Sequence, residues 1–315
     1  MLLPIFFILI SLILLYLGSS WLVKGSSSLA LKAGISPLVA GLTIVAFGSS
    51  SPELFVSVNA AITNHGNIAI GSVIGSNLFN ICMILGISAL VAPLKIRMRL
   101  LKTDILILVF TTVIFTMLFA DRQINRFEGG ILLSGLILYT TLKLILARKE
   151  KNADIHIEFG KSVPDQSMKS YYSASLILLG VGVLAAGSQL LINGAVSIAS
   201  LLGAGETIIS LTLIASGTSI PLLVSTIVAI IKRENDIAIG TIVGSGIFNI
   251  LGVIGVSSII SPLSAIAISN VDLYVMTGVT LLLLQFFRTN YILKRDDGIF
   301  MIGMYLIYLY YLWPK

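Results

Sequence analysis

Charge, cysteine and histidine are all scarce in this chain, and each shortage closes off a class of function. Only 11% of its 315 residues are charged, while 57% are hydrophobic. With a mean hydropathy of +1.03, most of the chain must sit in something other than water, which excludes a soluble globular fold. One cysteine, Cys82, lies inside an apolar run, so neither a disulfide framework nor a cysteine metal cluster is available. No glycine loop of the GxxxxGKS or GxxxxGKT type occurs, so no ATP site is expected and a catalytic enzyme is not the reading. The net charge of +6 would suit nucleic acid, but the basic residues lie in joints between apolar spans rather than on one amphipathic face. No nucleic-acid partner is expected.

Long apolar runs are what the chain has in abundance. A bilayer-spanning helix needs about 20 mostly apolar residues, and ten such stretches lie near 4–22, 36–62, 68–93, 103–120, 126–147, 171–192, 206–231, 237–262, 272–287 and 298–313. This predicts an all-α membrane protein of ten transmembrane helices. The one long polar connection, 148–170, carries Pro164 and many charges, and it divides the chain into halves of 1–147 and 171–315. Sixteen lysines and arginines fall in joints on one side of the bilayer against three on the other. Positive charge collects in cytoplasmic joints, so both termini are expected outside and the 148–170 loop in the cytoplasm, with the cell membrane as the location. The first apolar stretch reads as a retained helix with an outside N-terminus, because Lys24 follows it and no positive residue precedes it. The basic loop would suit anionic lipid or regulation, but it lacks a sustained apolar face and reads as a solvated connector.

Sliding the chain against itself by 169 residues aligns 41–93 with 210–262 without a gap. GLTIVAFGSSSPEL falls on SLTLIASGTSIPLL, and IAIGSVIGSNLFNI falls on IAIGTIVGSGIFNI with nine of fourteen positions identical. Shared Gly48/Gly217, Pro52/Pro221, Asn80/Asn249 and Pro93/Pro262 do not come from hydropathy alone, so the halves read as a duplication. Each half holds five expected spans, an odd number, so the second enters the membrane from the opposite side. Inverted repeats with Gly- and Pro-interrupted helices mark secondary transporters, whose site lies at the repeat interface near the bilayer midplane. The Gly71/Gly75 and Gly240/Gly244 pairs read instead as close helix packing.

Thirteen of the fourteen acidic residues fall at span ends or in joints, and Glu53 alone lies midway along a span. An ionised carboxylate there costs several kcal/mol unless a cation, proton or donor compensates it. Gly48 permits a break, Ser51 is the expected N-cap and Pro52 the first helical residue, which would put Glu53 in the first turn of a half-helix. Freed carbonyls near Ala46, Phe47 and Gly48, with the Ser49 and Ser50 hydroxyls, would gather oxygens around one point. Oxygens of this kind suit Na⁺ or Ca²⁺, and zinc or copper chemistry is disfavoured. The matching break in the second half would supply Ala215, Ser216, Thr218 and Ser219. A second polar cluster comprises Ser76, Asn77 and Asn80 in GSNLFN with Ser245 and Asn249 in GSGIFN. Interhelical hydrogen bonding is the alternative reading of these asparagines, and their repeat symmetry favours a site.

The GSSSPE and GSNLFN motifs, their counterparts GTSIPL and GSGIFN, and the ten-span layout resemble the sodium/calcium exchangers of the cation/Ca²⁺ exchanger superfamily. The resemblance covers nearly the whole chain. It implies two facing repeats around a central cluster of Na⁺ and Ca²⁺ sites, with access switched by sliding of the first and sixth spans. By resemblance Ser49, Ser50, Glu53, Ser76 and Asn80 would serve from the first repeat, and Ala215, Thr218, Ser219, Ser245 and Asn249 from the second. Transported ions, rather than a cofactor, are the implied ligands. One departure matters: the family's second repeat usually reads GTSxPE, and this chain has Leu222 in place of that glutamate. The position of Asn249 is aspartate in many relatives and is neutral here. Three readings follow: Na⁺/Ca²⁺ exchange with weakened divalent binding; H⁺-coupled exchange of Ca²⁺, Na⁺ or K⁺ with Glu53 as proton carrier; and, least favoured, a non-transporting membrane sensor or scaffold. Oligomeric state is not legible.

Overall fold

The computed structural model describes residues 2–33, 46–95, 99–149, 168–203, 205–231, 235–288 and 292–313. Apolar runs fold as helices here because a bilayer offers no partner to a free N–H or C=O. Helix α1 is Leu2–Lys32, α2 is Ala46–Ser49 and α3 is Ser51–Ile62. Helix α4 runs from Gly66–Leu78 through a π-helical stretch, Phe79–Ile84, into Leu85–Val91. Helices α5 (Arg99–Leu118) and α6 (Arg126–Lys149) close the first half. In the second half, α7 is Ser170–Leu202; α8 joins Glu206–Ile209, a π stretch Ser210–Ile214 and Ala215–Ile231. Helix α9 joins Asn235–Phe248, a π stretch Asn249–Ile254 and Gly255–Ile260, and α10 (Asn270–Arg288) and α11 (Arg295–Leu312) follow.

Among the described residues seven helices, α1 and α4 to α9, are long and apolar enough to cross a membrane. The other three expected spans are helical over α2–α3, α10 and α11. Of these, α2 and α3 are short, with 36–45 outside the described residues; α10 has a shorter apolar stretch, Asn270–Gln285; and α11 begins with Arg295, Asp296 and Asp297. The span window of α4 is 94% buried and that of α9 72%, against 11% for α6. Helices α4 and α9 therefore form the centre, and the others carry their apolar side chains to the surface.

The first and sixth spans exceed expectation by about ten residues each, as helices of 31 and 33 residues. At 1.5 Å per residue they are about 46–50 Å long, well beyond the hydrocarbon thickness, so they must tilt or extend past it. They pack on each other closely. A Cβ on Gly25 would lie 2.6 Å from the Ser173 carbonyl, and one on Gly194 would lie 3.1 Å from the Pro4 carbonyl. Adding 169 to Gly25 gives Gly194, and adding it to Pro4 gives Ser173, so the two helices run antiparallel about a two-fold relation.

The only strands among the described residues are four two-residue pieces, β1 (Leu94–Lys95), β2 (Gln123–Ile124), β3 (Leu263–Ser264) and β4 (Ile292–Leu293). Strand β1 pairs antiparallel with β4, and β2 with β3. The same two-fold exchanges these ladders: Leu94↔Leu293 maps onto Leu263↔Ile124, and all four side chains are buried. Each ladder thus stitches one half to the other at one face of the molecule.

Candidate cation site

The first repeat breaks where the sequence places a break. Helix α2 ends at Ser49 and α3 begins at Ser51, with Ser50 as N-cap and Pro52 in the first turn. The cap is Ser50 rather than the expected Ser51. Ser51 instead donates to the Gly48 carbonyl at 2.8 Å and to Ser19 Oγ at 2.9 Å, while Ser19 Oγ donates to the same carbonyl at 2.5 Å. The Phe47 carbonyl accepts from Ser50 N at 3.2 Å. Two carbonyls expected to face an ion are thus already engaged. The side chains of Ala46 and Ser49 lie outside the described residues.

The second repeat does not break at the matching place. Helix α8 runs unbroken through Gly217 and Pro221, and the irregularity moves ahead of the motif into the π stretch Ser210–Ile214. Proline at 221 removes the N–H that the Gly217 carbonyl would otherwise accept. Thr218 Oγ1 turns back on the Ile214 and Ala215 carbonyls at 3.1 and 3.3 Å. Ser76 also reaches the Ala215 carbonyl, at 3.4 Å.

Glu53 is 2% exposed. Thr218 and Ser219 of α8 approach its carboxylate, yet Glu53 Oε2 and Ser219 Oγ have no hydrogen bond of normal geometry. Ser50 Oγ and Ser245 Oγ are 3.0 Å apart. Asn249, fully buried, donates from Nδ2 to Asn77 Oδ1 at 3.1 Å, and Asn77 Nδ2 donates to the Gly246 carbonyl at 3.4 Å. Asn249 Oδ1 and both amide atoms of Asn80 are buried without a partner. Phe47 stacks edge-on against Phe248, with ring centroids 5.3 Å apart. Leu222, the repeat mate of Glu53, is 5% exposed and apolar.

Buried polar atoms are nearly always hydrogen-bonded, and an orphan calls for a ligand or a cost. Orphaned oxygens on Glu53, Asn80, Ser219 and Asn249 come from four different helices. Two other acids show the contrast. Asp104 (3% exposed) is met by Lys143 and by Tyr139 Oη at 3.2 Å. Asp272 (2% exposed) accepts from Tyr308 Oη at 2.8 Å, Ser269 N at 2.8 Å and Ser269 Oγ at 2.9 Å. Both are satisfied braces between helices; Glu53 is not. Among the described residues no three His, Cys, Asp or Glu side chains converge, so a cation here would be held mainly by neutral oxygens, the donor set of hard ions.

The family model of the sodium/calcium exchanger protein matches residues 3–145 and 172–313. The chain belongs to the sodium/calcium exchanger family. A proposed antiporter, CaxA, of Alkalimonas amylolytica is 37% identical over 100% of both chains. The sodium/calcium exchanger MaX1 of Methanosarcina acetivorans is 29% identical, with 96% of each chain covered. The solved structure of the sodium-calcium exchanger NCX_Mj soaked with 2.5 mM Na⁺ and 0.1 mM Ca²⁺ superposes with a TM-score of 0.66, at 29% identity and 99% coverage of both chains. Family membership and the seven apolar helices make this exchanger an integral membrane protein and support cation antiport as its activity.

Proposed function

We propose that the protein is a secondary antiporter exchanging Na⁺ for Ca²⁺ by alternating access. The observation that carries this reading is the set of buried, unpartnered oxygens on four helices, one of them on the buried carboxylate of Glu53. Glu53, Ser49, Ser50, Ser76, Asn80, Thr218, Ser219, Ser245 and Asn249 hold the ion together with the carbonyls of Ala46 and Ala215. The fold that carries the site is ten spans, as five-helix repeats over 1–147 and 171–315 joined by the cytoplasmic loop 148–170, with both termini outside the cell membrane. Occupancy must offset the polar site before it is carried past an apolar barrier, and competition of two ions for that offset couples their fluxes. The work comes from ion gradients.

Leu222 favours a second reading. With one carboxylate, a single Na⁺ or H⁺ balances the formal charge, whereas Ca²⁺ leaves an excess of about +1 at a place where charges interact strongly. Proton-coupled cation exchange is the alternative. Uptake of ⁴⁵Ca²⁺ into proteoliposomes loaded with Na⁺, run beside proton-gradient and no-gradient controls, separates the two. Uptake driven by outward Na⁺ supports Na⁺/Ca²⁺ exchange. Uptake driven by protons alone moves the assignment to H⁺.

A further inference from the structure

We propose that Asn77 is a positioning residue of this site: it turns the amide oxygen of Asn249, rather than its NH₂ group, toward the transported cation. The inference rests on the cation-exchange reading above. An asparagine amide has a donor end and an acceptor end, and only the oxygen end helps a cation. At the position of Asn249 a carboxylate would face an ion correctly in either orientation, but an amide must be turned.

The turning is built from three groups in series. The Gly246 backbone carbonyl can only accept, and Asn77 Nδ2 donates to it at 3.4 Å. That fixes Asn77 Oδ1 on the far side, where it accepts from Asn249 Nδ2 at 3.1 Å. One N–H of the Asn249 amide is thereby held on the Asn77 side, and its Oδ1 is left buried with no protein partner. Flipping Asn77 would set its oxygen against the Gly246 carbonyl and strip Asn249 of its acceptor. Asn80, which has no such relay, has both amide ends unpartnered.

The repeat pattern supplies an independent reason. Gly246 is the residue 169 positions after Asn77, so the relay joins two repeat mates, one with a side chain and one without. A Cβ on Gly246 would lie 3.0 Å from Leu108 Cδ1, close enough that Leu108 would have to give, and 3.7 Å from Asn77 Oδ1. GSNLFN and GSGIFN differ at this position, so only one repeat carries the amide. Simple bonding between α4 and α9 would not require one amide oxygen to stay bare, and burying a bare oxygen is costly.

The test is cation binding by the purified full chain in detergent, read as the shift of the unfolding midpoint with Na⁺ and with Ca²⁺. Asn77→Leu should weaken binding about tenfold, the scale of losing a group that orients a metal ligand, with the cation-free midpoint as the folding control. Asn77→Ser, too short to reach Asn249, should show the same loss. In an Asn249→Asp background, where both oxygens are equivalent, Asn77→Leu should change affinity by less than about threefold. Equal losses in the two backgrounds, or no loss in the native background, overturn the positioning role while leaving the exchanger reading intact. A native protein that binds neither ion removes both.

Discussion

A carboxylate buried to 2% exposure with one oxygen unpartnered is held at a cost that only a positive ligand or a proton offsets. Glu53→Gln keeps the shape and removes the charge. Breaking one side of a buried charge pair costs about 3–5 kcal/mol, so cation affinity should fall by at least two decades and flux should vanish. Isotope uptake checks this against a melting curve that stays close to native. Leu222→Glu reverses the experiment. A second buried carboxylate should lower the cation-free unfolding midpoint, because the new charge is desolvated, and should raise Ca²⁺ affinity by about tenfold or more through added charge and ligand oxygens. A lower midpoint without tighter Ca²⁺ binding would mean that residue 222 does not face the ion. Glu53 was legible in the sequence because it alone of the fourteen acids lies midway along an apolar span. The role of Asn77 was not, since the direction of an amide is set by a partner 169 residues away.

Elements that the repeat makes equivalent are not in equivalent states. Ser57 Oγ on α3 and Ser257 Oγ on α9 are hydrogen-bonded at 3.0 Å. Their repeat mates, Thr226 on α8 and Ser88 on α4, are equally buried and both unpartnered, although the helices that carry them touch. Ser50 and Ser245 bond at 3.0 Å, while Ser219, the mate of Ser50, has no partner. One contact is closed and its image is open, the asymmetry that alternating access exchanges. Ser57→Ala should therefore disfavour the state seen here and Thr226→Val its opposite. Each removes one net hydrogen bond of about 1 kcal/mol, a shift of about fivefold in the equilibrium. Apparent ion affinities measured from the two faces of oriented vesicles should change in opposite directions for the two variants; a change in the same direction would sink the idea. The sequence signals the break of α2 from α3, through Gly48, Ser51 and Pro52, with the cap falling one residue earlier at Ser50, but the matching signals in α8 are overridden by a helix that continues through Pro221. It also carries a pattern that hydropathy hides. Glycines at 18 and 25, and at 180, 187 and 194, recur every seven residues, and this is the spacing that lets α1 and α7 approach along a stripe.

At the scale of the molecule, the cross-contacts sort the turns between two faces. One face joins Gly66 to the Ser264 carbonyl, His65 Nδ1 to Glu206 Oε1 at 3.0 Å, and β2 to β3. The opposite face joins β1 to β4 and Lys32 to Met168. This sorting agrees with an odd number of crossings in each repeat, which the sequence could give only by counting apolar runs. The lysine and arginine count then assigns the faces: the basic residues Lys32 and Lys95 belong to the β1–β4 face, so that face should be cytoplasmic. In a Cys82→Ala background, Thr63→Cys and Gln123→Cys should react with a membrane-impermeant maleimide in intact cells, and Lys95→Cys only after permeabilisation. All three native side chains are exposed, so reactivity reports sidedness rather than burial. The reverse pattern would invert the protein in the membrane and leave the two-fold untouched. Labelling of Thr63→Cys and Lys95→Cys from the same side would break the two-fold itself, and with it the idea that opposite ends of the same site open in turn.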